Sequence, residues 1–382
     1  MSEKENPKTI RTFALASFLN DLGSDMIYPV WPFFVTTVLG ANLAVLGFID
    51  GLGEALVSLS QAASGYFSDR LKKRKIFIWT GYLMGSVSRL GYGLATLWMH
   101  LIPFRILDRA GKIRSAPRDA IVADISTRQN RGKHFGLLRA MDNLGAVCGI
   151  LLCLVLFERI GYRFLFYLAA LPSLAGALLI FFIIKEKRSP RLQLFKGISL
   201  KQVDNNLRLF LLLSALFALG TFSYSFLLLY AREFGFSITF MPVLYLIFTA
   251  TASIFSLPFG KLSDRLGRKK VIMMAFLLWG LACFLFIGFE GQSTVLILIF
   301  VIYGGHKAAL ETVQKTFVAE LAVPEFRASI LGGFQMIVGL SALPASLIAG
   351  MLWEAISPAI PLYFSLALTV TAMLLLFFVQ EK

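Results

Sequence analysis

Charge is scarce in this chain. Only 15% of its residues are Asp, Glu, Lys or Arg, against 57% apolar, and the mean hydropathy is +0.74. A soluble domain carries about a quarter charged residues. With 382 residues and so little charge, no water-soluble shape hides the apolar surface, so lipid is the solvent. Cysteine is nearly absent as well. Cys148, Cys153 and Cys283 all sit inside apolar runs, as small packing residues and not as a disulfide framework or metal site. Three histidines, widely spaced, are too few for a metal cluster. There is no Walker-type phosphate loop, no nucleophile motif and no extramembrane domain. These absences argue against an ATP-driven pump and against an enzyme, and they imply no cofactor. The formal charge is +15, but most Lys and Arg lie in short segments between apolar runs. That is the positive-inside pattern of a membrane protein, and no nucleic-acid partner is expected.

A membrane-crossing helix needs about 20 mainly apolar residues. Twelve segments qualify: Phe13–Val38, Leu43–Phe67, Ile76–Trp98, Leu101–Ile125, Phe135–Phe157, Phe164–Ile184, Leu207–Tyr230, Ile238–Phe259, Val271–Phe289, Thr294–Leu321, Ala328–Ala355 and Pro361–Val379. The fourth and tenth are the most charged. The first run is too long for a cleaved leader and is expected to be retained. The expected fold is therefore an all-α integral membrane protein with twelve transmembrane helices.

Short basic segments follow spans 2 (Arg70, Lys72, Lys73, Arg74, Lys75) and 8 (Arg265, Arg268, Lys269, Lys270), and a longer one joins spans 6 and 7. Gly40–Asn42 has no charge. Both termini and the central linker are thus expected in the cytoplasm. The linker, 185–206, divides an N-terminal six-helix bundle (1–184) from a C-terminal one (207–382).

An internal repeat supports two homologous halves. Gly65-x-x-Ser68-Asp69-Arg70-Leu71 recurs as Gly260-x-x-Ser263-Asp264-Arg265-Leu266, 195 residues on. Val122-Ala123-Asp124, Arg131 and Gly136 recur as Val318-Ala319-Glu320, Arg327 and Gly332, 196 residues on. Two independent motifs with nearly one offset mark a duplication of six spans in parallel orientation.

The run Gly260-Lys-Leu-Ser-Asp264-Arg265-Leu-Gly267-Arg268-Lys269 resembles the signature of the major facilitator superfamily (MFS), a Gly-x-x-x-Asp-Arg-x-Gly-Arg-Lys segment between the second and third helices. The first copy departs once, with Lys72 in place of glycine. Arg105 and Gly111 are similar to the family's fourth-helix motif, with Arg109 where glycine is usual. The longer run Asp108-Arg109-x-Gly111-Lys112-x-Arg114-x-Ala116-Pro117-Arg118-Asp119-Ala120 resembles a bacterial branch of loosely assigned transporters. Gly145-Ala-Val-Cys148-Gly149 keeps the glycines of the antiporter motif of helix five but lacks its proline. The resemblance implies two bundles moving by alternating access, with helices 1, 4, 7 and 10 lining the path. It also implies a gating role for Gly65, Asp69, Arg70, Arg105, Arg131, Gly260, Asp264 and Arg265.

Ionisable groups inside spans are expensive and by default functional. Span 1 holds Asp21 and Asp25, with Tyr28 on the same side. Span 2 holds Asp50 and Glu54. Span 4 carries Arg105, Arg109 and Lys112 on one helical stripe, with Arg114 and Arg118 on another. Span 10 carries His306, Lys307, Glu311 and Lys315. A structural reading competes: acids of spans 1 and 2 neutralising arginines of spans 4 and 5. That reading suits Arg114, Arg118, Asp119, Asp124, Arg139 and Asp142, and a partner role suits Arg89. His306 reads as polar lining. Thr221, Ser223, Tyr224 and Ser225 of span 7 are lining or helix-to-helix hydrogen bonds.

Two roles follow. Arg109, Lys112, Lys307, Tyr28, Tyr224 and His306 are the expected contacts of a small anionic or zwitterionic solute. Asp21, Asp25, Glu54 and Glu311 are the expected carboxylates that exchange a proton or another coupling ion. The expected protein is a monomeric secondary transporter of a bacterial inner membrane, whose partners are its solute, a coupling ion and the lipid bilayer. A drug or lipophilic-cation efflux antiporter is one alternative. A membrane receptor or enzyme without transport is another.

Overall fold

The computed structural model describes residues 7–71, 73–126, 131–185, 204–289, 291–322 and 327–381, without the side chains of 65, 66, 69, 70, 131, 132 and 327–329. The gating residues Gly65, Asp69, Arg70 and Arg131, and most of the linker, therefore lie outside the described part.

The described residues are mostly helical, with no strand among them. They form α1 (Pro7–Asp25), α2 (Trp31–Phe33), α3 (Leu43–Leu71), α4 (Lys75–Leu94), α5 (Leu101–Ala110), α6 (Ser115–Asp124), α7 (Arg131–Ile183), α8 (Asn205–Gly220), α9 (Tyr224–Glu233), α10 (Met241–Leu266), α11 (Arg268–Ile287), α12 (Ser293–Leu321), α13 (Arg327–Ala355) and α14 (Ile360–Phe378). Eight runs among them are long and apolar enough to cross a membrane. One of these, Lys133–Ile183, is two expected spans joined at Gly161, whose φ of +69° turns the chain between them. The eight runs thus hold nine of the twelve expected spans. The other three are α4, which is polar for a span, and the broken first and fourth spans. The architecture is the twelve-helix MFS fold.

Three spans are interrupted, each at residues expected to carry function. In the first, α1 ends at Asp25, and a turn over 26–30 leads into α2 and a π-helical stretch, Phe34–Val38. Pro29 has no N–H to continue the helix there. The fourth is split by a 3-10 stretch, Gly111–Arg114, between α5 and α6. The seventh breaks between α8 and α9, where Thr221 and Ser223 are extended (ψ 100° and 145°). Irregular backbone at membrane depth is tolerated only where protein covers it or water reaches it.

The described residues fall into two compact units. The first takes those of Met1–Gly40 and Leu56–Phe195. Its α1 packs along α7 through small residues: a Cβ on Gly145 would fall 2.3 Å from the Phe18 carbonyl oxygen, and one on Gly149 2.3 Å from that of Leu22. The two glycines of the antiporter-like segment therefore serve helix contact here. Phe13, Ile78, Tyr82, Val122, Leu138 and Ile180 close a core where α1, α4, α6 and α7 meet. The second unit takes those of Ala41–Ala55 and Lys196–Lys382. Helix α3 therefore begins in the second unit and ends in the first.

Candidate functional site

In the first unit, arginines meet one face of the first span in succession. Ser17, Asn20 and Ser24 recur at helical spacing in α1 and share a face, and Tyr28 and Trp31 follow beyond its break. Arg118 Nη1 donates to Ser17 Oγ at 2.6 Å. Arg89 Nη2 donates to Ser24 Oγ at 2.7 Å and to the Asn20 carbonyl at 3.2 Å. The Arg109 guanidinium lies 5.2 Å from the Tyr28 ring centroid, and that of Arg105 lies 4.7 Å from the Trp31 ring. Reading up span 1 meets span 4 in reverse order, 118, 109, 105, as antiparallel neighbours require.

The fourth span was expected to present two stripes. The 3-10 stretch, with three residues per turn, shifts the register between them. Arg118 consequently turns to the same neighbour as Arg105 and Arg109. Gly111 permits this crossing: a Cβ on it would fall 2.7 Å from the Gly81 carbonyl oxygen of α4. Arg114 turns elsewhere, over the Tyr82 ring at 4.9 Å, and donates to the Gly111 carbonyl at 2.8 Å.

These guanidiniums are held by hydroxyls, carbonyls, rings and nearby acids. Asp108 stands 3.6 Å from Arg109, and Asp119 3.0 Å from Arg118 with Asp142 at 4.0 Å. Asn20 Nδ2 donates to Asp21 at 2.8 Å. Lys112 is half-buried within electrostatic range of Asp21 and Asp108. Asp25 is buried one turn before Tyr28 and interacts with it electrostatically. Arg89, 2% exposed, also donates to the Ala169 carbonyl at 3.1 Å and to Ser173 Oγ, so it ties α4 to α1 and α7.

In the second unit, Lys307 and Glu311 form an i,i+4 ion pair at 3.7 Å, with Lys307 6.0 Å from the Tyr303 ring centroid. Glu54, on the part of α3 that belongs to this unit, acts on Lys307 electrostatically. Tyr224 stands edge-on to Tyr245 with centroids 5.1 Å apart, beside Phe248. His306 is fully buried among Phe217, Trp279 and Tyr303, and its Nδ1 donates to the Ala275 carbonyl at 2.8 Å. Its surroundings are those of a packed core.

The repeated motif shows the same pairing twice. Arg74, just before α4, bonds Asp124 at 2.6 Å. Arg268, opening α11, bonds Glu320 at 3.1 Å and Asp264 at 2.5 Å. Asp124 and Glu320 are repeat partners, so each half ties its short basic loop to the end of its fourth helix. Gly260 faces Thr312 of α12, a Cβ there reaching 3.4 Å from Cγ2, while Arg265 is exposed.

Sequence reasoning left Ser17, Asn20, Ser24 and Trp31 out of the site. Their spacing along the face of Asp21 and Tyr28 was the available signal. It also passed over Asp50, whose carboxylate accepts hydrogen bonds from Ser223 Oγ at 2.8 Å and from Ser225 Oγ.

Broken apolar spans and buried charge between helices are the marks of a multi-pass membrane transporter. The chain belongs to the Major Facilitator Superfamily, whose family model matches residues 13–229 and 209–382. It is 38% identical to the MFS-type transporter MJ1317 of Methanocaldococcus jannaschii, over 99% of this chain and 96% of that one. It is 27% identical to Multidrug resistance protein 2 of Bacillus subtilis, over 76% of each. Among solved structures, a variant of the nucleoside transporter NupG shares the fold with a TM-score of 0.81 at 16% identity, over 96% of this chain and 99% of that one.

Proposed function

We propose that the protein is a secondary active transporter of a small anionic or zwitterionic solute, coupled to a proton gradient. The observation that carries this reading is the set of guanidiniums along span 1. Arg109 and Arg105 lie over the rings of Tyr28 and Trp31. A guanidinium carries an N–H fork that matches a carboxylate or phosphate. Span 4 also carries five bases and three acids within Leu101–Ile125. Arg109, Lys112 and Tyr28 take the solute's anionic group. Lys307, Tyr224 and His306 are the proposed solute contacts of the second unit.

Asp21, Asp25, Glu54 and Glu311 are the proton-exchanging carboxylates. Asp21 lies within electrostatic range of Lys112, and Glu54 and Glu311 of Lys307, bases whose gain or loss during alternating access would change their proton affinity. The repeated ion pairs, with Gly65, Asp69, Arg70, Arg105, Arg131, Gly260, Asp264 and Arg265, gate the cytoplasmic end. The bundles 1–184 and 207–382 rock about the linker 185–206, both termini are cytoplasmic, and the protein works as a monomer in a bacterial inner membrane. The fourth-span run from Asp108 to Ala120 marks the branch of the family.

In proteoliposomes, an imposed pH gradient is expected to drive organic-anion uptake, and Asp25→Asn with Glu311→Gln to uncouple it. Undiminished gradient-driven uptake in both variants would sink the coupling proposal. The multidrug relative favours a second reading, export of lipophilic cations. Lower whole-cell accumulation of a fluorescent cation on expression, without anion uptake, selects it.

A further inference from the structure

Asp50 is an acid that neither the solute site nor the repeated ion pairs use. It sits two turns into α3, 3% exposed. A carboxylate at such depth is expensive unless donors meet it. Both donors named here come from one place, the break in the seventh span: the hydroxyls of Ser223 and Ser225 converge on its Oδ2.

Ser223 has further duties. Its Oγ caps α9 by accepting from Ser225 N at 3.2 Å, and its own N–H donates to Ser346 Oγ of α13 at 3.2 Å. One carboxylate therefore joins α3, the start of α9 and, through Ser223, α13. At the start of α3 the Leu43 N–H also donates to Glu354 of α13 at 2.7 Å, and elsewhere backbone meets backbone closely. A Cβ on Gly47 would fall 2.0 Å from the Ser346 carbonyl oxygen, one on Gly51 2.6 Å from Leu343 Cα, and one on Gly350 2.3 Å from the Leu43 carbonyl oxygen. Glycine contacts of this kind rest on dispersion and separate without stranding a polar group. The Asp50 hydrogen bonds are different, because separation would take both hydroxyls from a buried carboxylate.

We propose that Asp50 is a positioning residue that latches the opening turns of α3 to the broken seventh span, and that its two serine hydrogen bonds release together when this side of the carrier opens. The inference needs only that the chain is a carrier and stands apart from the identity of the solute.

The test uses the full chain in nanodiscs, without solute. Hydrogen exchange is followed in peptides covering 43–52 and 223–229. Alongside it, N-ethylmaleimide labelling is timed for Ser346→Cys in a background carrying Cys148→Ser, Cys153→Ser and Cys283→Ser. Asp50→Ala and Ser225→Ala are expected to speed both by about tenfold or more, with 141–157 unchanged. Asp50→Asn, which keeps one acceptor oxygen, is expected to fall between them and the parent. Parent-like rates in Asp50→Ala would overturn the proposal, as would acceleration spread evenly over the whole chain. Neither readout involves anion binding, so failure of the solute site would leave the result intact.

Discussion

The guanidinium of Arg109 lies over the ring of Tyr28 where the first span breaks, 5.2 Å from the ring centroid. One turn away along both spans, Arg105 lies over Trp31 in the same manner at 4.7 Å. A continuous first helix would carry Tyr28 onward in regular register. The turn over 26–30 instead gives its backbone a conformation of its own, beside the tightened 3-10 stretch that follows Arg109.

Arg109 and Tyr28 are expected to differ in their tolerance of substitution. Lysine keeps the charge at 109 but loses the fork and the flat face. Arg109→Lys should retain roughly a tenth of anion uptake or less, because a fixed bidentate contact is not reproduced by a point charge. Tyr28→Phe should stay near wild type and Tyr28→Leu should lose roughly three- to tenfold, in line with a cation–π contact. Initial rates over a range of solute concentrations check both.

Arg89 is expected to matter for stability. It bonds Asn20 and Ser24 of α1 and Ala169 and Ser173 of α7 from a fully enclosed position. Arg89→Leu strands those groups and should cost about 3 kcal/mol, the scale for breaking a buried charged network. Thermal unfolding in detergent, set beside Arg163→Leu as a control near a loop, measures it.

The repeated ion pairs should act on rate more than on stability. The acids Asp124 and Glu320 are 42% and 46% exposed, so each pair contributes about 0–1 kcal/mol after solvent screening. Asp124→Asn and Glu320→Gln should leave the unfolding temperature nearly unchanged but slow uptake several-fold. The exchange Arg74→Asp with Asp124→Arg should restore most of it. A swap no better than either single change would show that the pairing itself is irrelevant.

The glycines of α7 should separate by position. Gly149→Leu drives a side chain into the Leu22 carbonyl of α1 and should abolish folded protein, whereas Gly136→Ala meets nothing within 4 Å and should be silent. Size-exclusion profiles of the two variants distinguish these outcomes.

Much of this fold was legible because lipid enforces simple rules. Length and hydropathy marked nine of the twelve spans, and the paired offsets predicted a duplication. They even placed Asp124 and Glu320 as equivalents, which then both receive an arginine from their basic loop. The breaks were less legible. Apolar periodicity marks where a helix fits, while the turn over 26–30 and the 3-10 stretch over 111–114 depend on close backbone approaches such as Gly111 to Gly81. With the fourth helix taken as regular, Arg118 fell on the wrong stripe. Arg105 and Arg109 were expected to gate and to bind solute, and nothing in the local pattern pointed to the rings they lie against, where an aromatic face satisfies a weakly hydrated guanidinium at lower desolvation cost. Asp50 was visible as a charge in an apolar run, but its partners are 173 and 175 residues away, beyond any local pattern.

The most direct test is uptake into proteoliposomes under an inward proton gradient, screened over labelled carboxylates, phosphate esters and lipophilic cations, for wild type and Arg109→Gln side by side. At least one anion should accumulate with the wild type, and Arg109→Gln should reduce that accumulation about tenfold or more. Transport confined to cations, or anion uptake indifferent to Arg109→Gln, would contradict the account.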